Sequence, residues 1–207
     1  MEPSELLQRF VEVLDRLGIR YLVAGSMATT IYGEPRFTND IDVVVDLRSE
    51  QVDAFCLSFP STDFYCYREA VVEAIRQKFQ FNIIHFESGI KIDVFIPDES
   101  EFSRTQLGRG VQARLGSGFE VRFAAPEDVI LKKLEYFKEG GSEKHIRDIA
   151  GVLKVQAERI DREYIADWAT RLGLGDTWRD VLRRVEDPST SPLSYACAFP
   201  SKPTKFT

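Results

Sequence analysis

Apolar residues recur at helical spacing from the start of the chain. Leu6, Leu7, Phe10, Val11, Leu14 and Leu17 form one stripe, with Pro3 near its beginning and Gly18 closing it. Tyr21–Ala24 then reads as a short buried strand, broken by Gly25-Ser26, and Met27–Tyr32 begins a helix. Gly33-Glu34-Pro35 ends that helix, because Pro35 restricts the residue before it and Gly33 permits a left-handed cap. A strand is expected at Ile41–Val45, followed by helices at Ser49–Phe59 and Arg68–Gln77. Two hairpins come next, one pairing Phe81–Phe86 with Ile90–Ile96 and one pairing Val111–Leu115 with Glu120–Phe123 around Gly116-Ser117-Gly118.

From Pro126 the period is helical throughout. Val129, Ile130, Leu134 and Phe137 make one face, and Ile149, Val152 and Leu153 another. Asp161 caps a helix carrying Ile165, Trp168 and Leu172, and Trp178–Val185 forms a last one. Both tryptophans occupy apolar positions and read as core. The pattern predicts an α+β fold in which a mixed β-sheet flanked by helices occupies residues 1–124 and a helical C-terminal subdomain residues 125–186. The Ser-, Pro- and Thr-rich stretch 187–207 is expected to be disordered.

Composition narrows the chemistry. Only two histidines and three cysteines (Cys56, Cys66 and Cys197) are present, none at metal-ligand spacing, so any metal must sit on carboxylates. Oxygen ligands favour magnesium or manganese. The formal charge of −6 argues against a general nucleic-acid binder, while leaving room for a local basic strip. Acidic residues interrupt the N-terminal apolar pattern, and no apolar run is long enough to span a bilayer, so a cytoplasmic protein without membrane contact is expected.

Three acids stand out. Side chains alternate across a strand, so Asp40 and Asp42 share one face while Ile41, Val43 and Val45 share the other. Asp93 interrupts a second apolar strand, facing away from Ile92 and Val94. Paired carboxylates repel unless a cation neutralises them, and a buried unpaired one is costly. If the two strands are neighbours, the three acids converge on a site for two divalent ions. Gly25-Ser26, at the start of a helix, would bind a triphosphate through its N–H groups. Such parts suit nucleotidyl transfer, with Asp40 and Asp42 holding both ions and Asp93 serving the acceptor side. His85 alternates with Ile84 and Phe86 and reads as a hydrogen-bonded sheet residue instead.

Val23-Ala24-Gly25-Ser26 through Thr38-Asn39-Asp40-Ile41-Asp42-Val43 resembles the signature of the DNA polymerase beta-like nucleotidyltransferase superfamily. Within it, the chain from Leu6 to Leu182 resembles the abortive-infection (AbiE-type) toxin nucleotidyltransferases of type IV toxin–antitoxin systems. The resemblance implies a nucleotidyltransferase fold, ATP or another nucleoside triphosphate as substrate, two Mg2+ or Mn2+ ions, an RNA 3′ end such as tRNA or a protein as acceptor, and a cognate antitoxin. It also implies roles near the nucleotide for Arg36 and Thr38, which match an Arg-x-Thr-x-Asp-x-Asp form. Lys133 matches the downstream helix lysine and Asp148 the acid of an Arg-Asp-Ile element. Lys133 borders the apolar face of its helix, so its ammonium could reach phosphate, or simply remain solvated. Arg147-Asp148 could equally be a surface pair, and Lys132, Lys138 and Lys144 read as solvated. Two other readings stay open: an antibiotic-type small-molecule nucleotidyltransferase, and a catalytically idle nucleotide- or partner-binding module.

Overall fold

The computed structural model describes residues 1–34, 38, 40–115 and 118–186. Arg36, Cys197, the Gly116-Ser117 part of the second hairpin and the expected disordered stretch 187–207 lie outside the described residues. Helix α1 (Pro3–Arg16) starts where Pro3 needs no N–H partner, and the Glu5 carboxylate accepts the Glu2 backbone N–H at 2.9 Å. Its apolar stripe, Leu6, Leu7, Phe10, Val11 and Leu14, is fully buried, and Gly18 turns the chain with φ of 64°.

Strands β1 (Tyr21–Val23), β2 (Asp40–Val45), β3 (Phe64–Tyr65), β4 (Gln80–His85), β5 (Lys91–Phe95), β6 (Val111–Leu115) and β7 (Phe119–Phe123) form one sheet in the order β3-β4-β5-β2-β1-β7-β6. The sheet is mixed. β2 runs parallel to β5 and β1 parallel to β7, while β1–β2, β3–β4, β4–β5 and β6–β7 are antiparallel. β1 and β2 are joined through α2 (Gly25–Tyr32), which packs on α6 (Pro126–Gly140) and α7 (Glu143–Gln156). Helices α8 (Arg162–Arg171) and α9 (Gly175–Glu186) complete the C-terminal part, with Asp161 accepting the Tyr164 N–H at 2.9 Å as the cap of α8. The buried apolar residues of the sheet and of these helices form one continuous cluster, including Trp168 and Trp178.

Several local expectations change. The stretch expected as one helix at Ser49–Phe59 opens with a 3-10 turn at Ser49–Gln51 and continues as α3 (Val52–Leu57), ahead of α4 (Arg68–Gln77). Strand β3 is short, and it is held as much by rings as by pairing. Phe64 meets Phe59 at 5.5 Å within a chain of Phe10, Phe55, Phe59 and Phe81 contacts. Helix α5 (Glu101–Arg109) has no counterpart among the expected elements; the Ser100 side chain caps it, accepting the Ser103 N–H at 3.1 Å. Gly33 is not left-handed, having φ of −129°. Its missing side chain serves packing instead, because a Cβ there would crowd the Thr29 carbonyl and the α7 backbone at Gly151 and Val152. His85 is buried and bonded to the Ser88 hydroxyl at 2.9 Å, as a sheet residue. No helix among the described residues is long and apolar enough to cross a membrane.

Candidate active site

β2 and β5 lie side by side and in parallel, and the register places Asp42 directly opposite Asp93 and Asp40 opposite Lys91. Alternation along β2 buries Ile41, Val43 and Val45 on one face and leaves Asp40 and Asp42 on the other. Asp42 and Asp93 therefore share a face in adjacent strands. Gly25, Ser26, Asp40, Asp42, Asp93 and Lys133 all line one cleft of about 690 Å³.

The sequence at Gly25 is dictated by Asp42. Gly25 has φ of 55°, and a Cβ there would overlap the Asp42 carboxylate. The turn from β1 into α2 thus presses the helix N-terminus onto the acid, and the Ser26 backbone N–H donates to it. Burial nevertheless raises the Asp42 pKa, and the charges of Asp93 and Asp40 push the same way against the opposing pull of Ser26 and Lys133. Asp42 is held in a place where its own negative charge is disfavoured.

Asp93 is buried as well. Its Oδ2 takes the Lys91 ammonium at 2.8 Å, which raises the Lys91 pKa, and its Oδ1 has no hydrogen-bond partner. Asp40 is exposed at the strand start, and the Thr38 hydroxyl accepts its backbone N–H at 3.3 Å. Among the described residues no three Asp, Glu, His or Cys side chains are gathered closely enough to enclose an ion as they stand. The donor set still fits a hard divalent cation. The acids supply only oxygen, one buried carboxylate oxygen is orphaned, and burial with the neighbouring acids disfavours charge on Asp42 despite Ser26 and Lys133. Lys91 supplies one positive charge to this group, where two ions would supply more.

Lys133 and Asp148 come together as a buried pair, Nζ to Oδ2 at 2.7 Å, joining α6 to α7. Asp148 is therefore not a surface partner of Arg147. It fixes a lysine whose charge reaches Asp42. Asp148 and Thr38 act on the cleft through neighbours rather than by lining it. Lys91, beside the cleft rather than in its lining, can be found by alternation, two positions from Asp93 on the same face. The lining rings of Tyr136 and His145 depend on the packing of α6 on α7, which the sequence does not give.

Residues 6–171 match the model of the family described as nucleotidyl transferase AbiEii toxin, type IV TA system. The chain belongs to that family. Membership and fold together make it a nucleotidyltransferase. The crystal structure of ANT(2″)-Ia in complex with adenylyl-2″-tobramycin is similar at 15% identity and a TM-score of 0.55, covering 81% of this chain and 97% of that one. An antigenic nucleotidyltransferase-like protein from Paracoccidioides brasiliensis aligns at 20% identity and TM-score 0.47, covering 84% and 91% of the two chains. Lincosamide adenylyltransferase LnuA, lincomycin-bound, aligns at 10% identity and TM-score 0.46, covering 74% and 98%. At these identities the likeness concerns the fold alone. No curated protein matches the AbiEii-family chain in sequence.

Proposed function

We propose that this AbiEii-family enzyme moves a nucleoside monophosphate from a nucleoside triphosphate onto an RNA 3′ end such as that of tRNA, and acts as the toxin of a toxin–antitoxin pair. The observation that carries the transfer chemistry is the in-register pairing of Asp42 with Asp93, with the Gly25-Ser26 helix end against Asp42. An acceptor hydroxyl oxygen forms a bond to the α-phosphorus while the bond to pyrophosphate breaks. Asp93, through its unpartnered Oδ1, accepts the proton of that hydroxyl. The α2 N-terminus and the Lys133 ammonium, steadied by Asp148, take the charge of the leaving pyrophosphate. Asp40, Asp42 and Asp93 would hold two Mg2+ or Mn2+ ions, which supply charge neutralisation and make the acceptor hydroxyl more acidic.

One observation favours a second reading, a small-molecule acceptor of the cationic antibiotic kind. The cleft is lined by Asp98, Asp128, Glu135 and Glu139 besides the three acids, against Lys78, Lys132, Lys133 and Lys144. Incubation with each labelled nucleoside triphosphate, Mg2+ or Mn2+ and total cellular RNA or protein separates the readings. We expect label on RNA, absent with an Asp40→Asn, Asp42→Asn variant. Label on protein would replace the acceptor and keep the reaction. Antibiotic resistance on expression, without growth arrest or macromolecular label, would move the assignment to the drug-type reading. Neither transfer nor nucleotide binding under any condition would overturn it in favour of an idle module.

A further inference from the structure

Helices α6 and α7 are linked by only Gly141-Ser142, so they pack back to back as a hairpin in which positions rising along one meet positions falling along the other. Two such meetings face the cleft. Lys133 of α6 holds Asp148 of α7 at 2.7 Å, and Tyr136, three residues on, meets His145, three residues back. The rings of Tyr136 and His145 lie with centroids 5.7 Å apart and planes inclined by 35°. Three residues amount to about 4.5 Å of helical rise, so the ring pair sits one turn beyond the ion pair.

Both rings line the cleft that holds Asp42, Asp93 and Ser26. Tyr136 is 40% exposed and His145 half-buried, so the pair contributes little to the apolar core. Tyr136 is also close enough to feel the charges of Asp42 and Lys132. An aromatic pair in the cleft wall, its tyrosine exposed, one turn from a buried lysine and within electrostatic reach of Asp42, suits a planar ligand that carries phosphate.

We infer that the Tyr136–His145 ring pair is the platform on which the base of the incoming nucleoside triphosphate stacks, its phosphates lying between the Gly25-Ser26 helix end and Lys133. The inference rests on the nucleotide reading of the cleft given above. Every base presents a π face, so the platform supplies affinity without choosing among the four bases.

The test is equilibrium binding to the full-length protein, with Mg2+ present, of α,β-methylene nucleoside triphosphates and of inorganic tripolyphosphate. Loss of a base-stacking ring costs about tenfold in affinity. Tyr136→Ala should therefore lose about tenfold toward all four nucleotide analogues and keep wild-type affinity for tripolyphosphate. Tyr136→Phe, which keeps the ring, should bind both as wild type does. Unchanged nucleotide affinity in Tyr136→Ala would overturn the platform. So would an equal loss toward tripolyphosphate, which would mark Tyr136 as a prop for the phosphate site. Wild-type protein that binds neither ligand would overturn the nucleotide site and the platform with it. Wild-type protein that binds tripolyphosphate but gains nothing from the base would overturn the platform alone.

Discussion

At the scale of single residues, the site is built by close approach. Gly25 carries a positive φ, and the space its side chain would fill is occupied by the Asp42 carboxylate. Gly25→Ala must therefore displace either the helix end or the acid. We expect loss of at least two orders of magnitude in nucleotidyl transfer, since misplacement by an ångström costs about a hundredfold. The strained backbone should lower stability by about 1–3 kcal/mol. Chemical denaturation read beside transfer rate checks both, and a variant with wild-type rate would refute the packing argument. The three acids and the Gly-Ser break were legible in the sequence because strand alternation fixes which side chains share a face. Alternation does not say which strands are neighbours or in what register. For that reason the opposition of Asp42 to Asp93, and the claim of Lys91 on Asp93, had to come from the sheet.

At the scale of elements, the long periodic helices were legible and α5 was not. Its buried residues are Phe102, Gln106 and Leu107, too few and too mixed to make an apolar stripe. Phe102 packs on the Trp168 ring at 5.1 Å, and polar contacts tie down the far end of the helix. Arg109, at its end, reaches Glu127 at 2.7 Å and Asp128 at 3.6 Å in the first turn of α6, and lies over the Tyr164 ring of α8 at 3.9 Å. Tyr164 donates its hydroxyl to Asp128 at 2.8 Å. Burial raises the Asp128 pKa from 3.8 to about 6 despite Tyr164 and Arg109, with Glu127 adding to the rise. The folded protein therefore keeps a proton on Asp128 that the unfolded chain has already released. The stabilisation this confers is full below pH ~4 and is lost as pH rises to about 6, an amount on the order of 2–3 kcal/mol. Asp128→Asn cannot titrate. Unfolding free energies measured from pH 4 to 7 should therefore fall more steeply for wild type than for the variant. Parallel curves would show that Asp128 titrates alike in both states.

At the scale of the whole molecule, the enzyme keeps an unfavourable concentration of negative charge in its central cleft while carrying a net charge of −6. That arrangement costs stability unless a cation arrives, because burial and the neighbouring acids disfavour the charge on Asp42. Two consequences follow for thermal unfolding in the absence of nucleotide. If the acids hold Mg2+ or Mn2+ as proposed, the added ion should bind the folded state alone, and at tenfold over its dissociation constant contribute about 1.4 kcal/mol. In a chain of this length that raises Tm by about 3–6 °C, saturably. Asp42→Asn removes the repelled charge and should melt above the metal-free wild type, yet gain nothing when metal is added. An equal rise in both proteins would mean that the ions act on the acidic surface at large. A metal-free variant melting below wild type would mean that Asp42 is held mainly by its Ser26 contact, so that the acid stabilises the fold rather than straining it for the sake of the reaction.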